Sequence, residues 1–163
     1  MINRNKLPMR RSPRMTTLDY SEPYVFSTTV CVFDRRPLFS KSESAGILES
    51  AVKQYASFCE MDLIAYCIMP DHLHVIIQPQ GAAPVNRYIR SLKGRATYLL
   101  HKSGVVGRIW QRSFYDHIVR LAEDLPTAVR YVLENPVRSG LVNGFSEYPW
   151  SWDKYGVKVT GRI

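Results

Sequence analysis

With 163 residues and 45% apolar content, the chain can build one domain with a real core, and no apolar run in it approaches the ~20 residues a membrane-spanning helix needs. Its 22 lysines and arginines against 14 aspartates and glutamates give a formal charge of +8, which points to a polyanionic partner, nucleic acid ahead of an anionic membrane surface. Cys31, Cys59 and Cys67 show no C-x-x-C spacing, which argues against a zinc knuckle or disulfide framework and for reduced, buried thiols in a cytoplasmic protein.

Residues 1–20 carry Arg4, Lys6, Arg10, Arg11 and Arg14 with no apolar core behind them. They read as a basic arm rather than a secretory signal, with a plain solvated tail as the alternative. Residues 24–33 are rich in β-branched and aromatic side chains and predict a first strand, stopped by Asp34-Arg-Arg-Pro37. Over 42–58, Ile47, Leu48, Ala51, Val52, Tyr55 and Phe58 recur at helical spacing. A second strand over 63–69, a tight turn at Pro70-Asp71 and a third strand over 72–78 follow, so that His72 and His74 open the second arm of a hairpin. Residues two apart on a strand share a face, so the two imidazoles stand side by side while Leu73, Val75 and Ile77 turn toward a core. Two neutral imidazoles on a rigid surface make half of a divalent-metal site; the alternative is a pair of strand histidines that bind nothing. Asp71, as a turn residue, is expected to point elsewhere.

Gly81-Ala-Ala-Pro84 breaks the run, and Tyr88, Ile89, Leu92, Ala96, Leu99 and Leu100 mark a second helix from Val85 to about His101. Its remaining surface carries Arg87, Arg90, Lys93 and Arg95, candidate phosphate contacts together with Arg112 and the arm's Arg10, Arg11 and Arg14. A solvated charged face is the competing reading. Residues 114–119 predict a fourth strand, and Asp124-Leu-Pro126 reads as the start of a third helix with Leu125, Ala128, Val129, Val132 and Leu133 as its buried stripe. Tyr131 and Asn135, four apart, lie at the stripe's edge where they would face a cleft. From the residues alone, Tyr131 is also readable as a half-buried core tyrosine and Asn135 as a helix-ending residue before Pro136. Trp150, Trp152 and Tyr155 are expected to pack back on the domain.

The order β-α-β-β-α-β-α predicts an α+β fold: a ferredoxin-like split βαβ antiparallel sheet with helices on one face and an added C-terminal helix. Without internal repeats or an interdomain linker, the chain divides into an arm over 1–20, one domain over 21–155 and a tail over 156–163.

Four blocks occur in order: Met69-Pro-Asp-His-Leu-His74, Trp110-Gln-Arg-Ser-Phe-Tyr-Asp-His117, Tyr131-Val-Leu-Glu-Asn-Pro-Val-Arg-Ser-Gly-Leu-Val142 and Tyr148-Pro-Trp-Ser151. Together they resemble the signature blocks of the single-tyrosine HUH transposases, closest to the REP-associated tyrosine transposases of bacteria, over about residues 25–152. The resemblance implies a metal-binding pair at His72 and His74, a nucleophile at Tyr131 on a catalytic C-terminal helix, and a third metal ligand at Asn135, where related insertion-sequence transposases usually carry glutamine or a carboxylate. His117 falls inside a block and is expected to make only a structural hydrogen bond. The implied activity is that of a DNA nickase-ligase: cleavage and rejoining of single-stranded DNA at hairpin-bearing, REP-like sequences, through a 5′-phosphotyrosine intermediate and with Mg2+ or Mn2+, by a monomer or homodimer without a membrane partner. A phenol, ordinarily near a pKa of about 10, must shed its proton to attack phosphorus, so charge neutralisation and positioning would carry most of the catalysis. The sequence has no G-x-x-x-x-G-K-[ST] loop, in keeping with an exchange of phosphodiesters that needs no nucleoside triphosphate. Two other readings stand beside this one: a domesticated, sequence-specific DNA-binding protein without strand transfer, and a metal-dependent hydrolase that activates water on His72 and His74.

Overall fold

Residues 24–119 and 121–160 are described by the computed structural model; Arg10, Arg11 and Arg14 lie outside the described residues. Strands β1 (Val25–Cys31), β2 (Met61–Met69), β3 (His72–Pro79), β4 (Tyr115–Val119) and β5 (Ser151–Asp153) form one sheet in the order β4-β1-β3-β2-β5, antiparallel at every pairing. Helix α1 (Ser42–Phe58) joins β1 to β2 and α2 (Val85–Lys102) joins β3 to β4, which is the split βαβ arrangement predicted. Helices α3 (Leu121–Leu133) and α4 (Asn135–Arg138) follow β4, and α5 (Val157–Thr160) follows β5.

Side-chain alternation assigns the two faces of the sheet. Leu73, Val75 and Ile77 of β3 join Phe26, Val30, Tyr66 and Ile68 in the core beneath α1 and α2. The opposite, histidine-bearing face is partly covered as well: Ile76 packs with Ile64, Ala65 and Cys67 against Val129, Val132 and Leu133 of α3. A register shift in β2 between Leu63 and Ala65 helps, because both Ile64 and Ala65 then contribute to the α3 side. Burying each such side chain contributes about 1.5–3 kcal/mol, enough for the stripe to hold α3 to the sheet. The first two helices therefore share one face, and the added helix lies on the other, above the row that carries the histidines.

Four local features differ from the sequence reading. Helix α3 begins at Leu121 instead of at Asp124-Leu-Pro126, with Pro126 inside it. The fixed φ of proline suits a helix, and so close to the N-terminus it forfeits a single backbone hydrogen bond, which makes it a poor marker of the first residue. The same helix ends at Leu133, so Tyr131 and Asn135 lie on consecutive helices joined at Glu134. Strand β5 was not foreseen: three residues give no periodicity to read, and its place is set by pairing with β2 and by the Ile68 N–H donating to the Trp150 carbonyl at 2.8 Å. Trp152 stacks on Tyr66 at 6.1 Å as packing back requires, whereas Tyr155 stays 52% exposed.

Candidate active site

The hairpin between β2 and β3 ends at Asp71, immediately before the histidines. His72 and His74 share a face, and their rings meet edge-on with centroids 4.7 Å apart and Nε2 atoms 3.0 Å apart. Each ring is held from behind. Asp71 Oδ1 lies 2.5 Å from His72 Nδ1, and the Thr29 hydroxyl, delivered by β1 directly across from His74, lies 2.9 Å from its Nδ1. Asp71 thus points at the histidine pair, contrary to the expectation for a turn residue; its second oxygen pairs with Arg35 Nη1 at 3.2 Å.

An ionised carboxylate can only accept, so it fixes the His72 proton on Nδ1 and leaves a lone pair on Nε2. The Thr29 hydroxyl can donate or accept, so His74 can carry its proton on either nitrogen. Burial, and then the neighbouring His72, push the His74 pKa down to about 3; burial likewise lowers that of His72 against the pull of Asp71. Both rings are therefore neutral at pH 7, the form that binds metals. The two Nε2 atoms, 3.0 Å apart, are close enough together for both to reach one cation. The His72 lone pair faces the His74 Nε2, which offers a second lone pair in the tautomer with its proton on Nδ1; in that tautomer the two nitrogens suit a divalent cation. Among the described residues no third His, Cys, Asp or Glu joins them; His101 bonds the Gly107 carbonyl at 2.9 Å instead.

Tyr131 is 48% exposed and lines the same cleft as His74, so it is not sealed in the interior. The Arg138 guanidinium lies 4.0 Å from its ring centroid, donates from Nη2 to the Tyr131 carbonyl at 2.8 Å and pairs with Glu134 at 3.6 Å. This charge also reaches His74, where it opposes protonation. Asn135 is not among the residues lining the cleft; its Nδ2 donates to the Tyr131 and Val132 carbonyls at 3.0 and 3.2 Å, closing the end of α3. His117 lines the cleft, exposed, and its side chain makes no hydrogen bond with another described residue, unlike the structural hydrogen bond expected of it.

The basic candidates separate. Arg87 and Arg90 are exposed on α2, which packs on the sheet face away from the histidines. Arg95 covers the Tyr98 ring at 5.7 Å. The Lys93 ammonium is used by the Gln111 and Arg112 carbonyls at 2.7 and 3.5 Å, and burial, aided by Arg108, lowers its pKa. Arg112 is exposed beside Gln111, whose N–H bonds Cys31, the residue paired across from His72. Arg35, Arg36 and Arg108 gather at this same end: Phe33 N–H donates to the Ile109 carbonyl, Arg36 to the Arg108 carbonyl, and Arg108 covers the Phe33 ring at 4.5 Å. The sequence signal for this cluster, Asp34-Arg-Arg-Pro37, was absorbed by its role as a strand stop.

Comparison with known proteins places the chain in a family. A Haemophilus influenzae protein that carries the provisional name REP-associated tyrosine transposase is 28% identical over 148 residues, covering 82% of this chain and 81% of its own. The REP-associated tyrosine transposase of Escherichia coli strain K12 is 32% identical over 91 residues, 55% of this chain and 53% of its own. A solved structure described as the REP-associated tyrosine transposase bound to a REP hairpin superposes with a TM-score of 0.69 at 26% identity, covering 80% of this chain and 76% of that one. The family model described as "Transposase IS200 like" matches residues 24–135, a span that takes in the histidine pair, Tyr131 and Asn135. By that match the chain belongs to the IS200-like transposase family.

Proposed function

We propose that this transposase cleaves and rejoins single-stranded DNA at hairpin-bearing sequences, with Tyr131 as nucleophile and His72 and His74 as ligands of a divalent cation. The observation that carries the reading is that His74, whose Nε2 lies 3.0 Å from that of His72, lines one cleft with Tyr131. When bound there, Mg2+ or Mn2+ would supply positive charge to a non-bridging phosphate oxygen. Asp71 and Thr29 hold the two rings with both Nε2 atoms toward that position, and Asp71 keeps the His72 lone pair there; the cation would select the His74 tautomer with its proton on Nδ1. Asn135, whose amide is held on the end of α3 outside the cleft lining, would add its oxygen only after turning from those hydrogen bonds.

In the transfer step the Tyr131 oxygen forms a bond to phosphorus as the bond to the 3′ oxygen breaks. The phenol gives up its proton, the 3′ oxygen gains one, and one phosphodiester replaces another. Reverse attack by the 3′-hydroxyl rejoins the strand without an external energy source. Arg138, lying over the phenol ring, restrains its direction and brings positive charge to the entering phosphate. Arg35, Arg36, Arg108 and Arg112, at the histidine end of the sheet, are the better placed phosphate contacts, while Arg87 and Arg90 on α2 would meet only DNA that wraps the far side. The relative solved with a REP hairpin supports hairpin DNA as the partner. One chain supplies both His74 and Tyr131 to one cleft, which supports a site complete within a monomer.

The test uses end-labelled single strands that carry a hairpin, incubated with Mn2+ or Mg2+. The expected product is a protein–DNA species that survives denaturation and is lost in Tyr131→Phe, while that variant still binds the strand. Cutting that persists in Tyr131→Phe would instead indicate attack by water. Binding without any attachment would leave a DNA-binding protein only.

A further inference from the structure

The cleft that holds His74 and Tyr131 has a volume of about 560 Å3 and continues well past them along the β4 edge of the sheet. Its wall is a single stripe of α3, because Asp124, Ala128 and Tyr131 lie one turn apart. Its floor follows from strand register: Thr29 pairs with His74 on one side and with Tyr115 on the other, and Ser27 pairs with His117. Tyr115 therefore lies two strand spacings, roughly 10 Å, from His74 on the same face. That is about the reach from a phosphate to the base of an adjoining nucleotide.

The charge of this extension runs against that of the chain. The protein carries +8 overall, yet the described residues that line the cleft include no lysine or arginine, and Asp124 turns a carboxylate into it from α3; Asp116, between Tyr115 and His117 on β4, directs its side chain to the other face of the sheet. Such a lining repels a phosphate and accepts a neutral base whose edge offers N–H groups. Tyr115 is 49% exposed, and the side chains of Tyr115, His117 and Asp124 make no hydrogen bond or ion pair with another described residue, so their side-chain polar atoms are available to a ligand. A volume in the ~300–1,000 Å3 range typical of small-ligand sites accommodates a nucleotide.

We propose that this cleft holds one unpaired nucleobase of the strand beside the scissile phosphate, stacked on Tyr115 and read by Asp124. The inference rests on the strand-cleavage reading above and adds a choice of substrate to it. A carboxylate accepts from the exocyclic amino group of guanine, adenine or cytosine. On thymine it meets a lone N–H flanked by two carbonyl oxygens, which repel it. Stacking on Tyr115 is indifferent to base identity and supplies hold rather than selection.

The experiment presents hairpin-bearing strands with each of the four bases at the three positions on either side of the cleaved bond, and measures attachment rates for wild type, Asp124→Asn and Tyr115→Ala. At one of these positions wild type should disfavour thymine roughly tenfold, Asp124→Asn should level that preference, and Tyr115→Ala should slow attachment for all four bases. Base-independent attachment by wild type, or a preference unchanged in Asp124→Asn, overturns the proposal and leaves strand cleavage standing. If no strand attaches at all, the cleavage reading fails; the base preference is then read from binding of the same strands, and equal affinities for all four bases overturn the cleft proposal as well.

Discussion

Replacing Asp71 by asparagine tests the histidine site without any DNA. The carboxylate lies 2.5 Å from His72 Nδ1 and shares its charge with Arg35 at 3.2 Å. Asparagine keeps the size, removes the charge and offers an amide group that can donate. With the amide nitrogen toward His72, the ring proton moves to Nε2 and blocks the atom that should bind metal. Loss of an oxygen behind a metal-bound histidine typically costs 10–100-fold in affinity, or about 1.4–2.7 kcal/mol. Arg35 already draws on the Asp71 charge, so the effect should fall in the lower half of that range. Thr29→Val, which removes only a neutral hydroxyl 2.9 Å from His74, should cost less. Titration of the free protein with Mn2+, followed by calorimetry or by the paramagnetic signal of the unbound ion, gives both constants. Affinities within twofold of wild type for Asp71→Asn would refute the claim that this carboxylate sets the orientation and tautomer of His72.

Arg138→Ala removes the cover over the Tyr131 ring and a hydrogen bond to the Tyr131 carbonyl; strand attachment in single turnover should slow roughly tenfold, with partial recovery in Arg138→Lys, whose ammonium has no planar face. Protonation bears on folding as well. Because burial depresses the folded pKa of both histidines, to about 3 for His74, the unfolded chain binds more protons below its own value of about 6.5. This contribution to stability is whole above about pH 6.5 and is lost as the pH falls toward 3; urea midpoints at pH 7, 5 and 4 should decline more steeply in wild type than in His74→Asn, and equal slopes would contradict it. Ile76→Ala removes a fully buried side chain from between α3 and the sheet; it should cost about 2–5 kcal/mol in denaturant unfolding and loosen the helix that carries the nucleophile.

Periodicity revealed most of the scaffold because each long element buries one face. The apolar spacing of α1 and α2 and the alternation in β3 leave little choice of structure, and the same alternation puts His72 and His74 side by side. What a single element does not encode is its partner across the sheet. Thr29 backs His74 from 45 residues away through β1–β3 pairing, and Asp71 turns toward His72 because the turn closes there. The basic face of α2 was legible as a face, but the side of the sheet it occupies depends on the crossover, and it lies away from the cleft. Four-residue spacing placed Tyr131 and Asn135 one above the other; the break at Glu134 then turned the Asn135 amide back onto the helix end, a preference of asparagine at helix termini that competes with the outward pose. Proline and acid near a helix start mark a region rather than a boundary, and β5 is too short to carry any pattern.

The most direct measurement is the identity of the amino acid that carries DNA. Wild-type protein trapped on a hairpin-bearing strand should, after nuclease and protease digestion, yield a peptide in which Tyr131 bears a 5′-linked nucleotide, and that peptide should vanish when His72 and His74 are both replaced. Attachment through a different residue, or strand cutting that leaves Tyr131 unmodified throughout the reaction, would contradict the account.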